Sequence, residues 1–481
     1  MEKKERTVMK NIFFTICTFL VVVAMIVGCA PQATATPAVA PTNAQPTVEQ
    51  PTIEQPTIVP QSFDWKKYAG TEITLLLDEH PWTVGLRTVI DDFTKETGIK
   101  VNMQPFAEDL YFDKMELALR SDKPIADVYF EPMDSVGFDQ FSANLIQPLT
   151  PFIKDPTMTN PDYDLADFPE GFRSTATFPP GDSNSQLYAI PITFETYILF
   201  YNKDLVNKYL NGKVPETFDE LIAAADKITK EGKGEVYGAA MRGIRSDTIM
   251  DTLTGVVFDA WGSDSTPLPY NIWFDGDWKK GRFTEPRIVK GLSNYAAMMK
   301  AGPPNIQAMD WYEANQLFEQ GKIAFYIDAS LFGPGYEDPQ QSQVAGKVGY
   351  APLPKTDKGS MTGHWMWGLG IPANSQKKEA AWYFIQWATS KVIEPKIGTS
   401  TGGAARMSTW SNEIYTKALN PGYVEAVQTA MKTSRPTAVF SASWKEIGIM
   451  VVDAVQAMYG GTDPQKACED LQKKAMEVTN K

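Results

Sequence analysis

Three cysteines and two histidines are all that 481 residues offer of the side chains most often used to hold transition metals. His80 and His364 are too few for a histidine-rich metal site, and no metal or other cofactor is implied. Cys17 lies in an N-terminal apolar run, Cys29 closes that run, and Cys468 stands alone near the other end. No disulfide can therefore form within the body of the chain, and its stability must come from a large hydrophobic core. H-E-x-x-H, C-x-x-C and phosphate-loop patterns are all absent. Positive charge is also scarce: 45 Lys and Arg stand against 58 Asp and Glu, a net −13. Phosphate binding needs clustered basic residues, so nucleic acid is excluded as a partner.

What is present begins with "MEKKERTVMKNIFFTICTFLVVVAMIVGCA". Lys3, Lys4, Arg6 and Lys10 precede an apolar stretch from Ile12 to Val27, shorter than the ~20 residues of a membrane span. This is the layout of an export signal, residues 1–28. "IVGC", Ile26 to Cys29, resembles the bacterial lipobox, which implies lipidation of Cys29 and an extracytoplasmic chain anchored to the cell membrane. An uncleaved anchor helix is the alternative. Without residues 1–28 the balance is 41 basic against 56 acidic residues, or −15. Residues 29–63 are rich in Pro and Thr, with Gln-Pro-Thr repeating at 45, 50 and 55. Such a stretch favours extended conformations, cannot bury a core, and reads as a spacer.

From Thr71 onward, short apolar runs alternate with amphipathic ones. "ITLLLD" suits a buried strand, "VGLRTVIDDFTKETG" a helix stopped at Gly98, and "IKVNMQ" a strand; a helix over 109–120 leads to "ADVYFEP". That β-α-β-α-β order predicts a parallel sheet covered by helices, with ligands beyond the strands' carboxyl ends. A Pro/Gly/Ser/Asn-rich break at 179–186 precedes the strand "YILFYN". "PETFDELIAAADKITKEG" follows as a helix with Thr217 as N-cap and Glu220 completing a capping box. "KIAFYID" reads as another buried strand; Ile447, Val451, Ala454 and Met458 mark a helix closed by Gly460, and Asp463 and Pro464 start the last one. The ordered length exceeds one ordinary α/β core, so two lobes are expected.

"TGHWMWGLGIP", residues 362–372, places Trp365 and Trp367 on one face of a strand and Met366 on the other. It reads either as a tightly packed core strand or as a surface for stacking. Gly363, Gly368 and Gly370 would let another chain segment, or a ligand, come close.

Several segments, in order, resemble the family 1 extracellular solute-binding proteins of ABC transporters. They are "ADVYFEPMDSVGFDQFSANLIQPLTPF", "YAIPITFETYILFYNKDL", "VPETFDELIAAADKI", "NQLFEQGKIAFYIDAS", "VGYAPLPK", "GHWMWGLGIPANSQKKEAAWYFIQWATS" and "WKEIGIMVVDAVQAMYGGTDPQKACEDL". The resemblance is strongest to carbohydrate and sugar-alcohol binders. It implies an α/β fold of two lobes, 64–192 plus 367–410 and 193–366 plus 411–481, joined by hinge crossings. It further implies a monomer that closes on a small carbohydrate or polyol and presents it to permease subunits, not an enzyme.

A sugar needs fixed polar partners for its hydroxyls and flat apolar surfaces for its C–H faces. Glu79, His80 and Trp82 follow the first strand, though they also fit a solvated turn with Trp82 tucked inward. Glu131 follows the third strand; Asp134 matches a sugar-contacting aspartate of the family or caps a helix. Glu195 falls at the first lobe crossing. Trp261 and Trp444 occupy positions that often carry stacking aromatics, and Trp444 also fits a helix core. Trp365 and Trp367 fall at the second crossing. Arg406 is expected to offer a forked pair of donors or to form a surface ion pair. The rival readings are a lipid-anchored glycoside hydrolase using two of Asp78, Glu79, Glu131 and Glu195, and the same fold binding a polyamine or peptide.

Overall fold

The computed structural model describes residues 62–264, 272–275, 280–437, 439 and 443–479. The expected leader, Cys29 and nearly all of the spacer lie outside the described residues. Leu75, Leu76 and Leu77 leave β1 (Glu72–Asp78) no polar face, and it runs between β2 (Lys100–Phe106) and β3 (Val128–Pro132), parallel to both. The crossovers are helical, but the helix expected over 84–98 is two: α1 (Pro81–Arg87) and α2 (Ile90–Thr97). Gly85 presses on the Ile397 carbonyl, where a Cβ would lie 2.5 Å away. Just beyond it, the Thr88 hydroxyl donates to Gly85 O at 2.7 Å and closes the first helix. α2 then stops at Gly98, with φ +73°, as its sequence implied. α3 (Glu108–Arg120) returns the chain to β3.

The Pro-rich break is the tip of a small hairpin, β4 (Thr177–Phe178) and β5 (Gln186–Leu187). Next comes β6 (Ala189–Asn202), twice the length expected from "YILFYN". Its first half pairs antiparallel with β10 (Thr362–Gly370), from Ala189↔Gly370 to Thr196↔His364. Its second half pairs with β8 (Ile323–Ala329) and β9 (Val348–Ala351). β7 (Tyr237–Ala240) lies parallel to β8, reached through α4 (Phe218–Gly232). β10 is antiparallel to β3 and parallel to β11 (Ser434–Pro436). The order β2-β1-β3-β10-β6-β8-β7 is therefore mixed, not parallel throughout: two parallel half-sheets are joined by a central antiparallel pair.

Helices cover both halves. Thr217 caps α4 by accepting from Glu220 N, and the Glu220 carboxylate reaches back to Glu216 N. α5 (Ile249–Trp261) and α6 (Trp311–Glu319) flank β7 and β8, while α7 (Lys378–Ala388) sends Phe384 and Trp387 against Phe93 of α2. In α8 (Trp444–Tyr459) the stripe Ile447, Val451, Ala454, Met458 is buried. α9 (Pro464–Thr479) buries Cys468, whose thiol is pushed up to about 12 by desolvation.

The β10 glycines admit the chain itself. Gly363 faces Tyr197, Gly368 faces Met133, and a Cβ at Gly370 would lie 2.6 Å from the Tyr129 ring. Gly370→Ala should therefore cost roughly 1–3 kcal/mol by overpacking. Urea unfolding checks this; an unchanged midpoint would mean the ring has room to move.

Candidate functional site

Four strand ends converge on one cavity of about 870 Å³. Asp78 ends β1, Asp134 follows β3, Arg242 follows β7, and Leu331 and Phe332 follow β8. These are the carboxyl ends at which open α/β sheets present ligand sites. Between them run β6 and β10, where Glu195 and Trp365 face each other as a cross-strand pair.

The two-residue strand period turns Trp365 and Trp367 to the cavity, ring centroids 5.8 Å apart, while Met366 points away and is fully buried. Trp365 stays partly exposed; Trp367 is wedged against Phe130 at 4.9 Å and is almost covered. Its indole N–H points at Glu195 Oε1 at 3.4 Å. His80 caps α1: its Nδ1 accepts from Trp82 N at 3.1 Å. An imidazole whose Nδ1 accepts must carry its proton on Nε2. That Nε2 is buried, lies 3.9 Å from Glu195 Oε1, and has no hydrogen-bond partner among the described residues. A donor and an acceptor thus stand side by side at the edge of an indole.

On the β1 and β3 side, Asp78 is 3% exposed and its carboxyl is raised to about 7, by burial first and then by Glu108. Asp134 is no helix cap: the helix at Gly137–Ser142 starts from Val136, and Asp134 Oδ2 accepts from Met366 N at 2.5 Å. On the opposite side, Asp328 grips Arg242 through both oxygens, at 2.6 and 3.1 Å. Arg242 also donates to Thr248 O at 2.8 Å and meets Asp251 at 3.4 Å. Burial raises the Asp251 carboxyl to about 7 despite that arginine, with Glu195 and Asp328 adding to the rise. Trp311 and Phe332 stack at 5.8 Å, and Trp444 completes the wall.

Of the residues singled out in the sequence, Glu79, His80, Asp134, Glu195, Trp365, Trp367 and Trp444 line this cavity. Glu79 does so from the rim, its carboxylate held by Arg87 at 2.5 and 2.6 Å. Four others lie elsewhere. Trp82 is 1% exposed and sits edge-on to Phe130 within the core, the inward alternative for that loop. Glu131 alternates to the inner face of β3, where the Tyr129 hydroxyl donates to it and burial raises its carboxyl to about 8. Trp261, at the far end of α5, carries the guanidinium groups of Arg282 and Arg287 over its ring, at 5.9 and 5.7 Å. Arg406 is neither at the cavity nor at the surface: it is fully buried, donating to Thr389 O, Tyr163 O and Asp164 O and pairing with Asp167 at 3.2 Å.

Arg242, Asp251, Glu108, Trp311 and Phe332 were not anticipated as lining. The strand-end rule applied to "YGAAMR" and "FYIDASLF" would have found the first and last. Asp78 was named only as a catalytic candidate. Contrary to the expectation that no G-x-S-x-G pattern is present, Gly398 to Gly402 is one; it starts at the last residue of a short helix, Glu394–Gly398, and not at the strand-to-helix elbow that exposes a nucleophilic serine.

The model of the bacterial extracellular solute-binding protein family matches residues 80–394, well over half of the chain, and the chain belongs to that family. It is 28% identical over 431 residues to an erythritol/L-threitol-binding protein of Mycolicibacterium smegmatis, covering 86% of this chain and 87% of that one. It is 34% identical over 237 residues to a mannitol-binding protein of Pseudomonas aeruginosa, 47% of this chain and 51% of the relative. The solved structure of an ABC transporter solute-binding protein from Agrobacterium vitis with bound D-mannitol matches with a TM-score of 0.64 and 27% identity, over 85% of this chain and 97% of that one. The fold is thus the family's two-lobed α/β architecture.

Glu131, held neutral, generates a prediction. An acid whose folded pKa is raised destabilises the fold progressively as pH climbs from its unfolded value to about 8. Glu131→Gln should therefore gain stability over the natural chain at pH 8.5 and show little gain at pH 4.5. Chemical denaturation at both pH values checks this; a gain independent of pH would locate the effect elsewhere.

Proposed function

We propose that this chain is the substrate-binding component of an ABC importer, capturing a sugar alcohol or sugar between its lobes. The observation that carries the reading is the His80 Nε2–H donor beside the Glu195 carboxylate, with Trp365 and Trp367 next to them in a cavity of about 870 Å³. A hydroxyl both donates and accepts, so it satisfies such a pair, while a polyol's C–H edge lies on the indoles. The sugar-alcohol ligands named for the relatives fit this chemistry. The lobes, 64–192 plus 367–410 and 193–366 plus 411–481, close on the ligand about β6 and β10, and permease subunits receive the closed form. Lipid on Cys29 holds the chain outside the cytoplasm, with residues 29–63 as spacer. Binding is favoured over hydrolysis because two of the proposed catalytic carboxylates are tied up: Glu131 lies behind the sheet face and Glu79 is held by Arg87.

A thermal-shift panel of sugars, sugar alcohols, amino acids, polyamines and peptides tests the reading. A ligand at about 100 times its Kd adds ~2.7 kcal/mol to the folded state. Stabilisation confined to sugars or polyols is expected; stabilisation by peptides or simple polyamines alone would overturn the ligand assignment. Trp365→Ala should weaken binding at least tenfold while leaving the melting temperature of the free protein within a few degrees. Unfolding of that variant would instead make Trp365 a core residue. Cys29→Ala should move the protein from the membrane to the soluble fraction; retention would indicate an uncleaved anchor.

A further inference from the structure

The polar contacts that carry the proposed function, His80 and Glu195, come from the β1 loop and the central strand pair. The β7–β8 side of the cavity holds a further polar group, set on a brace of its own. Asp328, fully buried near the end of β8, accepts from Arg242 Nη2 and Ala329 N with one oxygen. Its other oxygen accepts from Arg242 Nε and the Tyr326 hydroxyl, at 3.1 and 2.7 Å. The guanidinium so fixed turns Nη1 to the start of α5. There it donates to Thr248 O at 2.8 Å and reaches Asp251 Oδ2 at 3.4 Å. The Asp251 side chain is 27% exposed and lines the cavity. Among the described residues no donor bonds its Oδ1. Glu195 is built the same way: Oε1 faces the Trp367 N–H and His80, and no donor among the described residues bonds Oε2.

A buried ion pair is a poor source of stability, because desolvation offsets much of the Coulomb attraction. What the Asp328–Arg242 pair supplies is a fixed direction. We propose that Asp251 is a specificity-determining acceptor for a ligand hydroxyl, and that Arg242, locked by Asp328, is the positioning residue that aims it. This deepens the proposed function and rests on it. At 3.4 Å the arginine steers one carboxylate oxygen and leaves the other to the ligand. A bond to an ionised acceptor is stronger than one to a neutral carbonyl, so a hydroxyl that meets Asp251 Oδ1 is held firmly. The ligand class that follows carries free hydroxyls at two places, one for His80 and Glu195 and one for Asp251. A compound with hydroxyls at a single end satisfies only one of them.

Titration calorimetry of the purified protein with sorbitol, mannitol, erythritol, glucose and maltose tests this. Asp251→Ala should weaken whichever of these the natural chain binds by about tenfold or more, the worth of one bond to a charged acceptor. Asp251→Asn, which keeps one carbonyl oxygen, should lose less. Arg242→Lys cannot keep the fork and should cost about fivefold in the natural chain, yet nothing further in Asp251→Ala. That non-additivity separates aiming from a general loosening of the cavity. Asp328→Asn, which keeps the shape of the brace, gives the same comparison if Arg242→Lys fails to fold. Asp251→Ala binding as tightly as the natural chain, whatever its melting temperature, would overturn this inference and leave the proposed function standing. A loss from Arg242→Lys that is equal with and without Asp251 would overturn the positioning role. Failure of the natural chain to bind any sugar or polyol would overturn this inference and the proposed function together.

Discussion

The antiparallel pairing of β6 with β10 is the constraint on which everything else hangs. β10 borders β3 of one half-sheet and β6 borders β8 of the other, so the register from Ala189↔Gly370 to Thr196↔His364 fixes where one half stands relative to the other. The same register sets Glu195 across from Trp365 and sends Trp367 to the same side. A slip of one residue would turn both indoles into the core and Met366 out of it. Glycines at 363, 368 and 370 make that register possible, since Tyr197, Met133 and Tyr129 occupy the space their side chains would need.

Burial, more than any ion pair, sets the electrostatic character of the site. Desolvation is the leading cause of the raised carboxyls at Asp78, Asp251 and Glu131 alike. Two of these face the cavity and one faces the core, so the same physics yields groups open to a ligand and a group closed to it. Arg242 is held rigidly by Asp328 and serves as a brace for Asp251 and Thr248 more than as a free cation.

Much of the fold was legible because its elements carry strong local signals. β1, β8 and α8 follow from apolar runs and stripes, and Gly98 and Thr217 end and begin helices where their chemistry says they should. What sequence could not give was depth. Glu131 and Asp134 are three residues apart, yet one faces the core and the other bonds Met366 N beside the cavity. Arg406 carries the chemistry of a ligand donor, but three carbonyl oxygens from separate segments claim it. Long-range partners of this kind leave no periodic trace. The break between α1 and α2 was hidden for a different reason: it is closed by a local bond from the Thr88 hydroxyl to Gly85 O, which leaves the apolar stripe of the sequence uninterrupted.

Cys468 has a practical consequence. The expected processed chain holds no other thiol that is not lipidated, and this one is fully buried with its ionisation pushed far above neutrality. Thiolate is the reactive form, so electrophilic dyes should pass it by. A cysteine introduced at the cavity rim would then be the sole labelled position, and a fluorophore there would report the proposed lobe closure without prior removal of native cysteines. The molecule is, in this respect, already built as the scaffold of an optical sensor.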